Sequence, residues 1–285
     1  MSSVVIVTDS SADIESGLRQ EFGIEIVPLK VLFGTESYLD GITMTSAEFF
    51  AKLTSSSVMP TTSQPSPVEW AEKYKEIVEK HGKDVSIIVI TISSALSGTY
   101  QSAVIGKTML EDDTDITIID SKKGSFIQGI AVVAAARAAQ AGQTKQQVLD
   151  LTERILREMK EFFVVDTLQY LQKGGRIGKA SALIGSLLNI KPILSLDSSG
   201  SVYPFDKVRG TKKAVSRMLE ELKAYAGNEK VAVGIIHATN EDEANNLRER
   251  VREEFNVVDD YIAEIGPVVG THIGPGAIAC VMYKV

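Results

Sequence analysis

The sequence predicts an α/β fold in two packed parts. An N-terminal part carries a mainly parallel sheet flanked by helices, and a C-terminal α+β part carries a more antiparallel sheet. Three observations support this. Val85 to Ile92 is a nearly continuous β-branched run whose only polar breaks are Ser86 and Thr91, the pattern of a parallel strand covered on both faces. Three strand-then-helix units precede residue 160, each strand ending in polar residues. After residue 160 the pattern changes to a hairpin, with Ile190 to Leu196 and Ser201 to Phe205 joined by Asp197-Ser198-Ser199-Gly200. The length of 285 residues exceeds the common domain size of about 100–150, so two domains, residues 1–160 and 161–285, are expected to share an extensive interface.

Taken in order, Val4 to Val7 reads as a buried strand that opens through Thr8-Asp9-Ser10-Ser11-Ala12-Asp13 into a capped helix. Ile24 to Leu32 reads as a second strand, and Phe49, Phe50 and Leu53 give Ser46 to Leu53 helical spacing. Met59-Pro60-Thr61-Thr62-Ser63-Gln64-Pro65-Ser66-Pro67 is a proline-stiffened loop. It ends in a capping box, with Ser66 as N-cap, Pro67 in the first helical position and Glu69 reaching back. The helix that follows has an apolar face of Val68, Ala71, Tyr74, Ile77 and Val78 and stops at Gly82.

After the central strand, Tyr100 to Leu110 is helical, Ile116 to Ile119 is a strand ending in Asp120-Ser121, and Ile127 to Ala139 is a small-residue helix. Lys145 to Lys160 is a charged helix. In the second part, Lys212 to Tyr225 and Glu241 to Phe255 are helical, and Lys230 to Ile236 and Ala277 to Met282 are strands.

Hydrophobic residues make up 44% of the chain and charged residues 24%, as in globular proteins. A net charge of -7 argues against a nucleic-acid partner, which calls for a clustered basic face. The single cysteine, Cys280, lies in an apolar run and is expected to be a buried thiol, consistent with a reducing cytoplasm. The start Met1-Ser2-Ser3 lacks the basic region of a signal peptide, and no apolar run approaches the roughly 20 residues that span a bilayer. Cytoplasmic localisation with no membrane segment is the expectation.

Two hydroxyl clusters, Thr61-Thr62-Ser63 and Ser93-Ser94, each stand just before a helix. Such sites suit one carboxylate or phosphate, whose charge neutral donors hold without quenching. Ordinary turn and cap duty is the competing reading of the same residues.

The motifs Val7-Thr8-Asp9-Ser10-Ser11-Ala12-Asp13, Pro60-Thr61-Thr62-Ser63-Gln64-Pro65, Ser93-Ser94-Ala95-Leu96-Ser97-Gly98-Thr99-Tyr100-Gln101-Ser102-Ala103 and Lys173-Gly174-Gly175-Arg176-Ile177 occur in this order. With Leu188-Asn189-Ile190-Lys191-Pro192-Ile193-Leu194 and the segment Gly266 to Gly276, the chain from about Val4 to Met282 resembles the DegV family. The resemblance implies a bacterial, non-catalytic protein that holds a long-chain, palmitate-like fatty acid in a tunnel between its domains and presents the carboxylate to a separate ATP-dependent fatty acid kinase. It needs no cofactor or metal and leaves room for transient contact with a membrane or an acyltransferase. The same resemblance implies that Thr62 and Ser94 hold the carboxylate, supported by Thr61, Ser63, Ser93 and His272. Arg176, expected on an exposed turn, and Arg209, in a basic run with Lys207, Lys212 and Lys213, are expected to face the kinase.

Other readings are weaker. Lys173 to Lys179 departs from a phosphate loop, having Lys where Gly is needed at 173 and Ala where Ser or Thr is needed at 180. Gly274-Pro275-Gly276-Ala277-Ile278-Ala279 fits a loose dinucleotide pattern but precedes a strand. Asp9 and Asp120, at strand ends, read as turn and cap residues or as a Mg²⁺ site. With Ser94 as nucleophile they would make the alternative, a free-standing phosphotransferase or hydrolase. A regulatory sensor of small acids is a third reading.

Overall fold

The computed structural model describes residues 3–111, 113–185 and 190–285. Leu188 and Asn189 of the fifth motif, and Met1 and Ser2, lie outside them. The first half runs β1 (Val4–Asp9), α1 (Ser16–Glu21), β2 (Glu25–Val27), β3 (Lys30–Phe33), β4 (Glu36–Leu39), α2 (Ser46–Ser55), β5 (Thr61–Ser63), α3 (Pro67–His81), β6 (Ser86–Thr91), α4 (Thr99–Thr108), β7 (Asp115–Asp120), α5 (Phe126–Gln140) and α6 (Lys145–Glu158). The second half runs β8 (Lys160–Val164), α7 (Gln169–Lys173), β9 (Ile190–Leu196), β10 (Val202–Arg209), α8 (Thr211–Ala226), β11 (Lys230–His237), α9 (Glu241–Glu254), β12 (Asn256–Glu264), α10 (Pro267–Ile273) and β13 (Ile278–Lys284).

A four-stranded sheet, ordered β2-β1-β6-β7, is parallel throughout, and every residue of its inner strand β6 is buried. A six-stranded sheet, ordered β10-β9-β8-β13-β11-β12, is antiparallel except for the β11/β12 pair. A small antiparallel sheet, β4-β3-β5, stands beside them. Helix α5 packs on β1 and β6 and also on β11, so it lies between the two large sheets. Its side chains Phe126 and Ile130 share one core with Ile6 and Ile88 from the first half and Phe163, Ile236 and Val281 from the second. A buried ion pair, Lys123 Nζ to Glu161 Oε1 at 2.6 Å, spans the same junction. Separate apolar clusters lie under α3 (Trp70, Tyr74, Ile77) and under α8 and α9 (Leu219, Leu222, Leu247). Cys280 belongs to the latter, and burial pushes its thiol up to about 12. Among the described residues no helix is long and apolar enough to cross a membrane.

Local signals form the expected α3. Ser66 Oγ accepts from Glu69 N at 3.3 Å, and Glu69 Oε2 accepts from Ser66 N at 2.7 Å. Its buried face is Trp70, Ala71, Tyr74 and Ile77, while Val68, expected inward, is 50% exposed. Val68 lies about 200° around the helix from Trp70, so the larger ring takes the core and the valine faces outward.

Four other expectations change. Ile24 to Leu32 is not one strand: Pro28, which has no N–H for a ladder, separates β2 in the parallel sheet from β3 in the small one. Ser10–Ala12 is a single 3-10 turn capped by Asp9 rather than a helix. Thr61-Thr62-Ser63 is an edge strand on β3 rather than a loop. The Gly-rich stretch before the last strand contains α10, with Gly266 as N-cap and Pro267 in its first position.

Candidate functional site

A cavity runs between the sheets, walled by Leu29 and Ile92, by Ile127 of α5, by Ile265, and by Val268, Val269 and Ile273 of α10. Phe163 of β8, Ala279 of β13 and Ile236 of β11 also line it, and the ladder places these three in one row across adjacent strands. The polar side chains on the wall are Thr62, Gln64, Ser97, Ser125, Arg176 and His272.

Two of these polar side chains touch, and three more stand near them by way of the backbone. Thr62 Oγ1 lies 2.9 Å from His272 Nε2. Gly174 lies at the Nδ1 side of the ring, where an added Cβ would stand 2.2 Å from His272 Nδ1. Arg176 Nη1 donates to Gly174 O at 2.7 Å, and its Nε donates to Leu96 O at 2.9 Å. Ser97 follows Leu96, and Gln64 reaches Gly98, where an added Cβ would stand 2.8 Å from Gln64 Nε2. Gln64 is exposed, so this polar end of the cavity is the one near solvent. Ser125 is engaged elsewhere, donating to Asp13 Oδ2 at 2.5 Å.

Strand geometry selects Thr62. In β5 the side chains alternate, and pairing of Thr62 with Val31 turns Thr62 inward, half-buried, while Thr61 and Ser63 are exposed. His272 sits in the last turn of α10. Burial, followed by the charge of Arg176, lowers its pKa to about 4, so the ring is neutral at pH 7. Its Nδ1 is buried without a hydrogen-bond partner among the described residues. The tautomer sets the direction of this bond: a ring protonated at Nε2 donates to Thr62 and leaves the Thr62 proton free for an incoming acceptor.

The serine loop is arranged differently from expectation. Ser94 is exposed, and its Oγ donates to Asp120 Oδ2 at 2.5 Å. Ser93 is buried and donates to Gly200 O at 3.0 Å. Ser97 is the hydroxyl residue of this loop that lines the cavity, beside Leu96. The turn bonds Leu96 N to Ser93 O and Ser97 N to Ser93 O carry the chain through one turn before α4, which brings Ser97 to the cavity wall. The sequence signal for Ser97 is its place directly before Gly98, the N-cap of α4.

Arg176 also departs from expectation: it is half-buried against the cavity rather than exposed. Arg209 is exposed at the end of β10, with Lys207, Lys212 and Lys213 exposed beside it. Asp9 is fully buried and accepts from Ser11 and from Ile92 N at 2.8 Å. Burial raises its pKa against these bonds and one from Gln128. Asp120 accepts from Ser94 and from Lys122 N at 3.0 Å. Both aspartates thus organise turns, Asp9 with its oxygens turned into the protein.

A family profile described as "Uncharacterised protein, DegV family" matches residues 3–285. A DegV domain-containing protein of Halalkalibacterium halodurans is 37% identical over 284 residues, covering 99% of each chain. Among solved structures, a DegV family protein from Thermus thermophilus described by its fatty acid binding superposes with a TM-score of 0.92 at 34% identity, over 99% of this chain and 100% of that one. DegV of Bacillus subtilis, described as a fatty acid binding protein, superposes with a TM-score of 0.90 at 33% identity over the whole of both chains.

Proposed function

This chain belongs to the DegV family, and from that premise we propose that it is a carrier that binds a long-chain fatty acid in the cavity between its sheets and presents the carboxylate to a separate ATP-dependent kinase. The observation that carries the reading is the uneven wall of the cavity: many apolar side chains, and a polar set, Thr62, His272, Ser97, Arg176 and Gln64, in which Thr62 meets His272 and Gln64 reaches solvent. An amphipathic acid fits such a wall in one direction only. Fatty acid binding by the relatives of known structure supports the same ligand class.

In this reading Thr62 donates to the carboxylate, held in place by the neutral His272. Arg176 spends Nε and Nη1 on backbone carbonyls, so its charge attracts the anion while Nη2 remains for a bond to it. Ser97, rather than Ser94, supplies the second hydroxyl. Arg209, exposed and remote in character from this wall, is assigned to the kinase interface. The acid keeps its charge and remains a nucleophile toward a phosphoryl donor. No nucleophilic or acid–base step is assigned to this chain.

Organic extraction of protein purified from a bacterial host, followed by mass spectrometry, tests the ligand. One long-chain fatty acid per protein is expected. A nucleotide or sugar phosphate in the extract, with no fatty acid, would refute the carrier reading.

A further inference from the structure

We propose that Asp13 and Asp40 are positioning residues of the polar end: two acids from the first half of the chain that grip the amino terminus of α10 and thereby set where its last turn places His272. Asp13 Oδ1 accepts from Gly266 N at 3.0 Å, and Asp40 Oδ1 accepts from Val268 N at 3.2 Å. Their other oxygens accept from Ser125 Oγ and from Ser10 Oγ at 2.6 Å. Each of the four oxygens therefore has a donor. A Cβ at Gly266 would stand 2.7 Å from Asp13 Oδ1 and 3.2 Å from Asp40 Oδ1, so the two carboxylates converge on one residue that has no side chain to keep them apart.

Helix α10 needs such an anchor. It has seven residues, one of them Gly270, too few to be stable alone, and its first N–H groups have no partner within the helix. Carboxylates at that end are favoured by the helix dipole, and here they take the two amides at 3.0 and 3.2 Å. The same short helix contributes Val268, Val269, His272 and Ile273 to the cavity wall, with Gly270 packed under Phe49 and Phe50. A slip at Gly266 is thus carried to the ring that meets Thr62.

The arrangement has a cost that simple capping would not require. Ser, Thr or Asn caps a helix without buried charge. Here burial raises the pKa of both acids, the charge of Asp40 raises Asp13 further, and Asp9 adds its own charge to each from β1. The groove on their outer side carries Arg19, His237, Glu241 and Glu264. The functional consequence rests on the fatty-acid reading; the grip on α10 does not.

The test is an NMR titration of the His272 imidazole in ligand-free protein, for wild type, Asp13→Ala and Asp40→Ala, which remove the amide acceptors at every pH, with exposed His81 as internal reference. The expected wild-type midpoint is about 4, and in each variant it rises by at least about one pH unit toward 6.5 as the ring gains water. Loss of global stability alone would leave the midpoint of the folded protein unchanged. Folded variants with an unshifted His272 would overturn the proposal. Should either Ala variant fail to fold, Ser10→Ala and Ser125→Ala each remove one hydroxyl partner of an acid. A smaller upward shift is then expected, and no shift overturns the proposal equally. Affinity for a long-chain fatty acid, measured on the same samples, tests the carrier reading separately: a wild type that binds none ends that reading and leaves the titration to decide the grip.

Discussion

Thr62 Oγ1 and His272 Nε2 meet at 2.9 Å across 210 residues of sequence, joining an edge strand of the first half to a short helix of the second at the polar end of the cavity. On the carrier reading, tail and head divide the work. Burying about 14 methylenes at ~0.8 kcal/mol each amounts to roughly 11 kcal/mol before binding costs. A hydroxyl bond to a carboxylate adds about 1.5–3 kcal/mol. Thr62→Val, alone or with Ser97→Ala, is expected still to co-purify with fatty acid, at an affinity lower by roughly 10- to 100-fold for each hydroxyl removed, yet to support kinase-dependent acyl phosphate formation at least ~100-fold more slowly. Ser94→Ala is expected to change neither. Bound lipid and turnover measured on one preparation decide this, and normal turnover in the double variant would remove Thr62 and Ser97 from the head-group site.

The buried His272 has a pH signature. Its folded pKa, about 4, lies below the ordinary 6.5, so between these values the unfolded chain binds more protons and stability falls as pH falls. The difference corresponds to about 3 kcal/mol. Asp40 has the opposite sign: its folded pKa, about 6, lies above 3.8, so in that window stability falls as pH rises. His272→Gln should therefore gain stability relative to wild type as pH is lowered from 6.5 to 4, and Asp40→Asn should gain as pH is raised from 4 to 6. Urea unfolding at a series of pH values reads both slopes.

Gly174 has φ of -75°, a conformation open to any residue, so Gly174→Ala isolates the steric effect of one methyl on His272. That methyl would stand 2.2 Å from Nδ1 and 3.1 Å from Tyr170 O. Destabilisation of about 1–3 kcal/mol is expected, together with a displaced ring. A crystal structure showing His272 unmoved against Thr62 would refute it.

Ala279 is the one small residue in the row Phe163–Ala279–Ile236 along the cavity wall. Ala279→Phe should fill the space over that row and shift the co-purifying lipids toward shorter acyl chains. The fatty-acid profile by mass spectrometry is the measurement; an unaltered profile from folded protein would show that the chain does not pass this row.

The two arginines separate by environment. Arg176→Ala removes charge and two backbone bonds beside the cavity, and a several-fold loss of fatty-acid affinity is expected. Arg209→Ala, at an exposed position, should leave lipid binding intact and slow only the kinase reaction, more so at low salt. Lipid dissociation constants and kinase rates at two ionic strengths distinguish these outcomes.

Much of this protein was legible in its sequence because the signals are local. The apolar run from Val85 to Ile92 identifies β6, the Ser66-Pro67-Val68-Glu69 box starts α3, and Asp197-Ser198-Ser199-Gly200 turns the β9/β10 hairpin. Hydroxyl clusters before α3 and α4 mark the loops that border the polar end of the cavity, since neighbours in the chain suffice to write a cap or a turn.

Tertiary structure alone decided which side chains of those loops face inward. Thr62 is chosen over Thr61 by its register against Val31, thirty-one positions earlier, and Ser97 over Ser94 by the turn that commits Ser94 to Asp120. The glycine-rich segment becomes α10 because Asp13 and Asp40 take its first amides, bonds 253 and 228 residues long in sequence. Arg176 turns inward because Leu96 O stands within reach of its guanidinium, a partner 80 residues away. Strand register, helix anchoring and burial are set by groups that meet only when the sheets pack, and no window of neighbouring residues contains them.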